Sequence, residues 1–373
     1  MEKGVSSPPR CRDPTSPEHS HEDSPPNESR QSSAGNPSPT LTGEPGITNL
    51  LEVSSPSNEI HGEVRICFVR LSTPSEYASL LSEAEDYVFE NGRRYHGYKA
   101  GRYMLPNDEN EMDREDIKHH ISMLITEGRL HLAPIGSHPQ RVLDIGTGTG
   151  IWAIEFADAY PSAQVVATDL SPIQPAWVPP NLNFEIDDAE EEWLYKAASM
   201  DFIHCRYLFH GIRDWPKLFD QAMRTLKPGG HIEIVEMHVI PTSYDNSLPK
   251  DSQIQAFYDV LSEVGKGVGI DLAVAQKFHG MLEKAGFEGV TETVFDLPIG
   301  GWMPDRRMRE VGLFHQFQMT EGLHGIAFGL LTRVAGWDAL KVEAFLAGIR
   351  REMKDPKVRS LYKIHFVYGR RPH

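Results

Sequence analysis

From Arg141 onward, short apolar runs alternate with longer stretches whose apolar residues recur at helical spacing. That alternation predicts strands and helices in turn, the βαβ pattern of a mostly parallel sheet. Strands are predicted at Arg141–Ile145, Gln164–Asp169, 183–187, 200–205 and 231–239. Helices are predicted at 151–160 and 214–226, the second stopped by Lys227-Pro228-Gly229-Gly230, a cation, a proline and two glycines. Further helices are expected at 252–266 and 274–285, a strand at 290–296, helices at 305–321 and 338–353, and a last strand at 360–369. One α/β domain with a helical insertion accounts for the whole run.

The chain ahead of residue 140 reads differently. An apolar run at 64–71 precedes a helical pattern of Tyr77, Leu80, Leu81, Ala84 and Val88. A second helix is predicted at 113–130, with Ile117, Ile121, Leu124 and Ile125 on one face. Between them lies an aromatic, cationic, glycine-containing loop that includes Tyr95, His96, Tyr98, Lys99, Arg102 and Tyr103. The first 60 residues hold 10 of the 27 prolines and 12 serines, and the first aromatic residue is Phe68. So little apolar surface cannot offset an ordering cost of ~1–2 kcal/mol per residue, so 1–62 is expected to be a disordered tail. Its Ser-Pro steps, Ser7-Pro8 among them, fit proline-directed phosphorylation, but chance steps in a solvating tail are the simpler reading. Residues 63–135 are read as an N-terminal helical and lid segment. Residues 136–373 are read as the main domain, with a cap insertion near 298–335.

Composition narrows the function. The 53 acidic against 37 basic side chains give a net charge of −16, which excludes nucleic-acid binding by bulk positive charge. Cys11, Cys67 and Cys205 make neither a disulfide framework nor a zinc-type pair, so reduced thiols in an intracellular compartment are expected. No apolar run approaches the ~18–20 residues of a membrane span, and the first residues carry no apolar core of a signal peptide. Metal binding has no support, because His119 and His120 are adjacent and point to different helix faces.

The informative chemistry sits after the first main-domain strand. Asp144 precedes Gly146-Thr147-Gly148-Thr149-Gly150, and the position where a dinucleotide fingerprint has its third glycine is Ile151. Such a loop lets backbone approach a ligand closely and turns helix N–H groups toward it. Asp144 would repel a pyrophosphate and attract a cationic ligand. S-adenosylmethionine fits, since it has no phosphate and carries an ammonium and a sulfonium. Asp169 ends the second strand, where an acid accepts both ribose hydroxyls. Asp188 is placed within reach of an adenine amino group, with Leu170 and Ala189 flanking the ring.

The stretches LDIGTGTGIWA, TDLSPIQP, EIDDAEEEW, LFHGIRDWPKLFDQAMRTLKPGG and YHGYKAGRYMLPNDE resemble class I S-adenosylmethionine-dependent methyltransferases. More narrowly they resemble the LaeA-like methyltransferases of filamentous fungi, regulators of secondary metabolism and development. The resemblance covers roughly residues 85–373. It implies a Rossmann-like α/β sheet of seven strands, the last antiparallel, with helices on both faces. It also implies residence in the nucleus or cytoplasm and, for some members, velvet-domain protein partners. Near relatives include tailoring methyltransferases, so a biosynthetic O- or N-methyltransferase of small metabolites stays open, as does a non-catalytic interaction protein that keeps the pocket.

An enclosed apolar pocket would indicate a small acceptor, and an open groove a protein one. His210, His204 and Tyr103 are weak catalytic candidates; Arg206 is a candidate for the cofactor carboxylate or an acidic substrate group. The loop tyrosines are expected to cover a sulfonium by cation–π contact. Of Glu233 and Glu236, one is expected to face a helix and the other the site. Phe314, Phe317, Met319 and Leu323 are expected in the core, and the Arg306–Arg309 cations on a solvated helix face.

Overall fold

The structure is a computed structural model that describes residues 82–373. The expected tail, the apolar run at 64–71 and positions 77–81 lie outside the described residues. Where the described chain begins, a short helical turn at 82–85 gives way to a hairpin of β1 (Val88–Glu90) and β2 (Arg93–Tyr95). The helical pattern extended to Val88 is therefore corrected: Asn91 and Gly92 have φ values of 52° and 75°, which reverse the chain.

Helix α1 (Glu109–Ile125) starts earlier than expected because the Asp108 side chain caps it, accepting from the Glu111 N–H. The main sheet then unfolds in the expected order. β3 (Arg141–Ile145) leads into α2 (Ile151–Ala159), followed by β4 (Gln164–Asp169), β5 (Leu182–Ile186) and β6 (Met200–Arg206). In β3 every residue after Arg141 is buried, as a central parallel strand covered on both faces must be. Helix α3 (Trp215–Thr225) follows, with Trp215, Leu218, Phe219 and Ala222 buried as one stripe at helical spacing.

Helix α3 ends at Thr225, where the stop was expected, but β7 (Leu226–Ser243) begins earlier than the 231–239 predicted. The Lys227–Gly230 stretch is strand, because it pairs with the end of the chain: the Gly229 N–H donates to the Arg371 carbonyl, and the Arg371 N–H to the Gly230 carbonyl. Helices α4 (Gln253–Lys266) and α5 (Phe278–Lys284) precede β8 (Glu288–Pro298). Helix α6 (Arg306–Gly329) runs longer than predicted and continues through a π-helical turn at Leu330–Val334. Helix α7 (Ala339–Met353) and β9 (Ser360–Arg370) complete the chain.

The seven strands lie in the order β5-β4-β3-β6-β7-β9-β8, and β9 runs antiparallel to both its neighbours. α6 packs along α1. Phe317 departs from its expected core position. It is exposed, whereas Leu323 is fully buried and Met319 turns inward. No helix among the described residues is long and apolar enough to cross a membrane.

Candidate cofactor cleft and the cavity behind it

Open parallel sheets bind ligands beyond the carboxyl ends of their strands, where the strand order reverses. Here β4 and β6 flank β3 on opposite sides, and a cleft of about 1000 Å³ opens at that point. Its floor is the glycine loop. Gly148 and Gly150 have φ values of 60° and 81°, the left-handed region that favours glycine. A Cβ at Gly150 would stand 2.5 Å from Phe184 Cζ, whereas one at Gly148 would meet nothing within 4 Å. The first glycine lets the loop pack on β5, and the second leaves the space beside it to a ligand.

Asp169 closes the loop from β4. Its carboxylate accepts the Gly148 N–H at 2.8 Å and the Ser171 N–H at 3.0 Å. Burial pushes this carboxyl up to about 6 against those bonds. Each carboxylate oxygen still has a lone pair free, which suits the two hydroxyls of a ribose. Gln174 steadies the same turn by donating to the Gly148 carbonyl at 2.7 Å. Thr147 Oγ1 is buried with no partner, an unmet polar atom in the loop that a bound ligand would satisfy. The donor set therefore fits S-adenosylmethionine: backbone amides and one ribose acid.

The segment between β2 and α1 forms one wall of the cleft. Lys99 Nζ lies 3.0 Å from Asp188 and 2.5 Å from Glu191, and Arg102 pairs with Glu190. Asp188, Leu170 and Ala189 all line the cleft. The Asp188 carboxylate is also engaged by the lid cation Lys99. Burial would raise this carboxyl, but the Glu190 N–H and Lys99 outweigh it and hold it below its ordinary value. Of the loop tyrosines, Tyr103 lines the cleft and Tyr95 does not; Tyr95 is buried under the Arg333 guanidinium at 4.3 Å. Burial and the carboxylates of Glu115 and Glu111 raise the Tyr103 phenol well above its ordinary value, so it can donate but not act as a base.

Asp144 does not line this cleft. It is buried under the loop and accepts from His204 Nδ1 at 2.7 Å, while the His204 ring stacks on Trp152 at 3.7 Å. Burial lowers the imidazole against the pull of Asp144, so the ring is neutral. His204 is thereby corrected from catalytic candidate to internal prop. The pair borders a smaller recess, about 370 Å³, together with Gly146, Thr147 and Arg206. Arg206 lines both spaces and donates to His119 Nδ1 at 3.0 Å, which leaves guanidinium donors for a ligand carboxylate.

Neither glutamate of β7 lines the cleft, which corrects the expectation that one of them faces the site; both accept backbone N–H groups of loops instead. Glu233 accepts the N–H groups of Leu132 and Ala133 at 2.7 and 2.6 Å, and burial pushes its carboxyl up to about 7. Glu236 accepts the Phe209 N–H at 3.0 Å behind the segment that follows β6. That segment turns at Tyr207, a non-glycine residue with φ of 60°. The Tyr207 hydroxyl meets Ser122 Oγ at 2.7 Å, and Lys118 Nζ sits 4.0 Å over its ring.

Behind Tyr207 lies a second cavity, about 580 Å³, walled by α1, α4, α6 and β7. It shares Leu105 and Tyr207 with the cofactor cleft. His210 lines this inner cavity rather than the cleft, and burial pushes its imidazole down to about 3. Sequence reasoning missed Glu111, Met112 and Glu115, which α1 contributes to the cleft. The available signal was opposite charges at positions 111, 114, 115 and 118, whose helical spacing marks one face. No cluster suited to a metal ion occurs among the described residues.

The methyltransferase domain family matches residues 117–292. The chain is 37% identical over 325 residues to methyltransferase pytC of Aspergillus terreus, covering 87% of this chain and 99% of that protein. It is 39% identical over 289 residues to the secondary metabolism regulator LAE1 of Cochliobolus heterostrophus, covering 76% and 94%. It is 32% identical over 296 residues to the protein-methionine methyltransferase laeA of Emericella nidulans, covering 78% of each. Among solved structures, a phosphoethanolamine N-methyltransferase of Haemonchus contortus with S-adenosylmethionine superposes with a TM-score of 0.45 at 15% identity, covering 82% and 75%. The chain belongs to the LaeA-like family of S-adenosylmethionine-dependent methyltransferases.

Proposed function

We propose that this enzyme holds S-adenosylmethionine with its ribose on Asp169, its methionine end over Gly146–Gly148 toward Arg206, and its sulfonium toward Tyr207. The cofactor supplies an already activated methyl group, so the protein's task is alignment. Asp169 and the loop amides orient the nucleoside, Arg206 receives the carboxylate, and the Tyr103 side of the lid excludes water. The observation that carries this reading is the juxtaposition of the open left-handed Gly148 with the Asp169 carboxylate that accepts its N–H. Calorimetric titration with S-adenosylmethionine tests it. Saturable binding is expected in the full chain and a loss of at least about a hundredfold in Asp169→Ala, since two bonds to a charged acceptor are worth ~1.5–3 kcal/mol each. Equal affinity in both proteins would overturn the assignment.

A role in the regulation of secondary metabolism, alongside a velvet-domain partner in the nucleus, is the second reading. Its support is the 39% identity to LAE1, named as a secondary metabolism regulator. Deleting the gene should change the output of several metabolite pathways together. Loss of one product alone would place the enzyme inside a single biosynthetic route.

A further inference from the structure

The inner cavity has features that the cofactor reading does not use. It lies beside the cofactor cleft and shares Leu105 and Tyr207 with it. Its walls are largely apolar, with Phe257, Leu261 and Met319 among them. Two cations, Arg114 and Lys118, face it, and no carboxylate lines it. Both cations are buried, at 6% and 5% exposure.

Their partners differ. Arg114 commits four of its five N–H donors to Glu111, Glu115 and the Gln318 side chain. Lys118 donates to the two oxygens of Glu115 at 2.9 and 2.8 Å, which leaves one of its three N–H donors for a further acceptor. Glu115 lines the cofactor cleft, Lys118 the inner cavity, and Tyr207 both. The ion pair thus stands at the junction where a methyl group would pass.

We propose that this inner cavity is the methyl-acceptor site, and that the acceptor is a small, largely apolar molecule bound through one acidic oxygen, as its anion, against Lys118. This rests on the cofactor placement above. Enolic, carboxylic and electron-poor phenolic compounds release that proton to solvent before binding, so no general base is required. The absence of a base matches the site: His210 is neutral at pH 7, with burial pushing it to about 3, and is a poor proton acceptor. The acceptor oxygen then forms a bond to the methyl carbon as the methyl–sulfur bond breaks, its electron pair going to sulfur. Negative oxygen and positive sulfonium become a neutral ether or ester and a neutral thioether. The product no longer has a charge for Lys118 to hold, which favours release. An amine acceptor would face two buried cations, and a protein side chain would need a groove open to a second macromolecule.

A series of probes alike in shape and different in charge tests this in the full chain saturated with S-adenosylhomocysteine: 2-naphthoate, 2-naphthamide and 2-naphthylmethylammonium. Calorimetry should show naphthoate binding about tenfold or more tightly than the amide, as a hydrogen bond to a buried charge requires, and the ammonium not at all. Lys118→Met should remove the preference and Lys118→Arg keep it. Leu261→Trp should fill the cavity and abolish naphthoate binding while leaving S-adenosylhomocysteine affinity unchanged. If Lys118→Met fails to fold, the probe series and Leu261→Trp still decide the matter. Equal binding of the three probes, or naphthoate binding that survives Leu261→Trp, would overturn the proposal while leaving the cofactor reading intact. So would transfer of labelled methyl to protein that naphthoate does not inhibit. Failure of S-adenosylhomocysteine itself to bind would overturn the cofactor reading first.

Discussion

The two spaces that meet at Tyr207 are built in opposite ways. The cofactor cleft rests on backbone: three left-handed glycines within five residues, two loop amides, and an acid at the end of the next strand. The inner cavity rests on side chains brought from α1, α4, α6, β7 and β9, with Leu105 of the lid segment. The first needs particular residue types at fixed local spacing, because only glycine adopts φ near +60° to +80° at little cost. The second needs only complementary volume and a balance of buried charge, which many sequences supply. A site of the first kind suits a ligand shared by a whole family, and one of the second kind suits a ligand that differs between members.

The sharpest way to break the comparison is Gly148→Val. A branched side chain at φ of 60° is strained by ~1–2 kcal/mol and would also occupy the open space beside the loop. S-adenosylhomocysteine binding should be lost, while circular dichroism shows a folded chain. Retained affinity would mean that the ligand does not lie over Gly148.

Acidification is expected to have the next largest effect. Ribose hydroxyls need the ionised Asp169, whose carboxyl burial has pushed up to about 6. Cofactor affinity should therefore be full above that pH and fall as pH drops through it, by up to tenfold per unit. Asp169→Asn should bind weakly at all pH values and lose the dependence. Wild-type affinity that is flat between pH 5 and 8 would contradict the role.

Glu233 gives the opposite sign, in stability rather than binding. Its carboxyl is raised from 4.5 to about 7 by burial, so the folded state favours the protonated form. The stability this confers is present below pH 4.5 and disappears as pH rises through 7, a difference of about 3 kcal/mol at most. Glu233→Gln keeps an acceptor for Leu132 and Ala133 but cannot ionise. Its melting temperature should fall less than that of wild type between pH 5 and 8, and parallel curves would refute the account.

The lid should give the smallest effect. Lys99 and Arg102 are partly exposed, and such pairs contribute ~0.2–1 kcal/mol. Lys99→Ala should speed S-adenosylhomocysteine release a fewfold, with the gap closing in high salt as screening weakens the wild-type pairs. A salt-independent difference would point to packing instead.

The same contrast explains what could be read from sequence. The succession of strands along the chain, the glycine loop and the position of Asp169 at the end of β4 were legible because local spacing specifies them. Val88 was misread because a helical periodicity gives no warning of the Asn91-Gly92 turn that pairs β1 with β2. Lys227–Gly230 stops α3 as expected, but its place in β7 was hidden, since its strand partner, Arg371, lies at the far end of the chain. The pairing of Asp188 with Lys99 was invisible because the two lie 89 positions apart. The buried face of α1 was hidden for a chemical reason: Glu111, Arg114 and Lys118 look solvated until their charges pair internally.

A crystal structure of the full chain with S-adenosylhomocysteine tests the central claim most directly. The account predicts both ribose hydroxyls on the Asp169 carboxylate and the sulfur directed past Tyr207 toward Lys118. A ribose seated away from Asp169, or a sulfur facing away from the inner cavity, would contradict it.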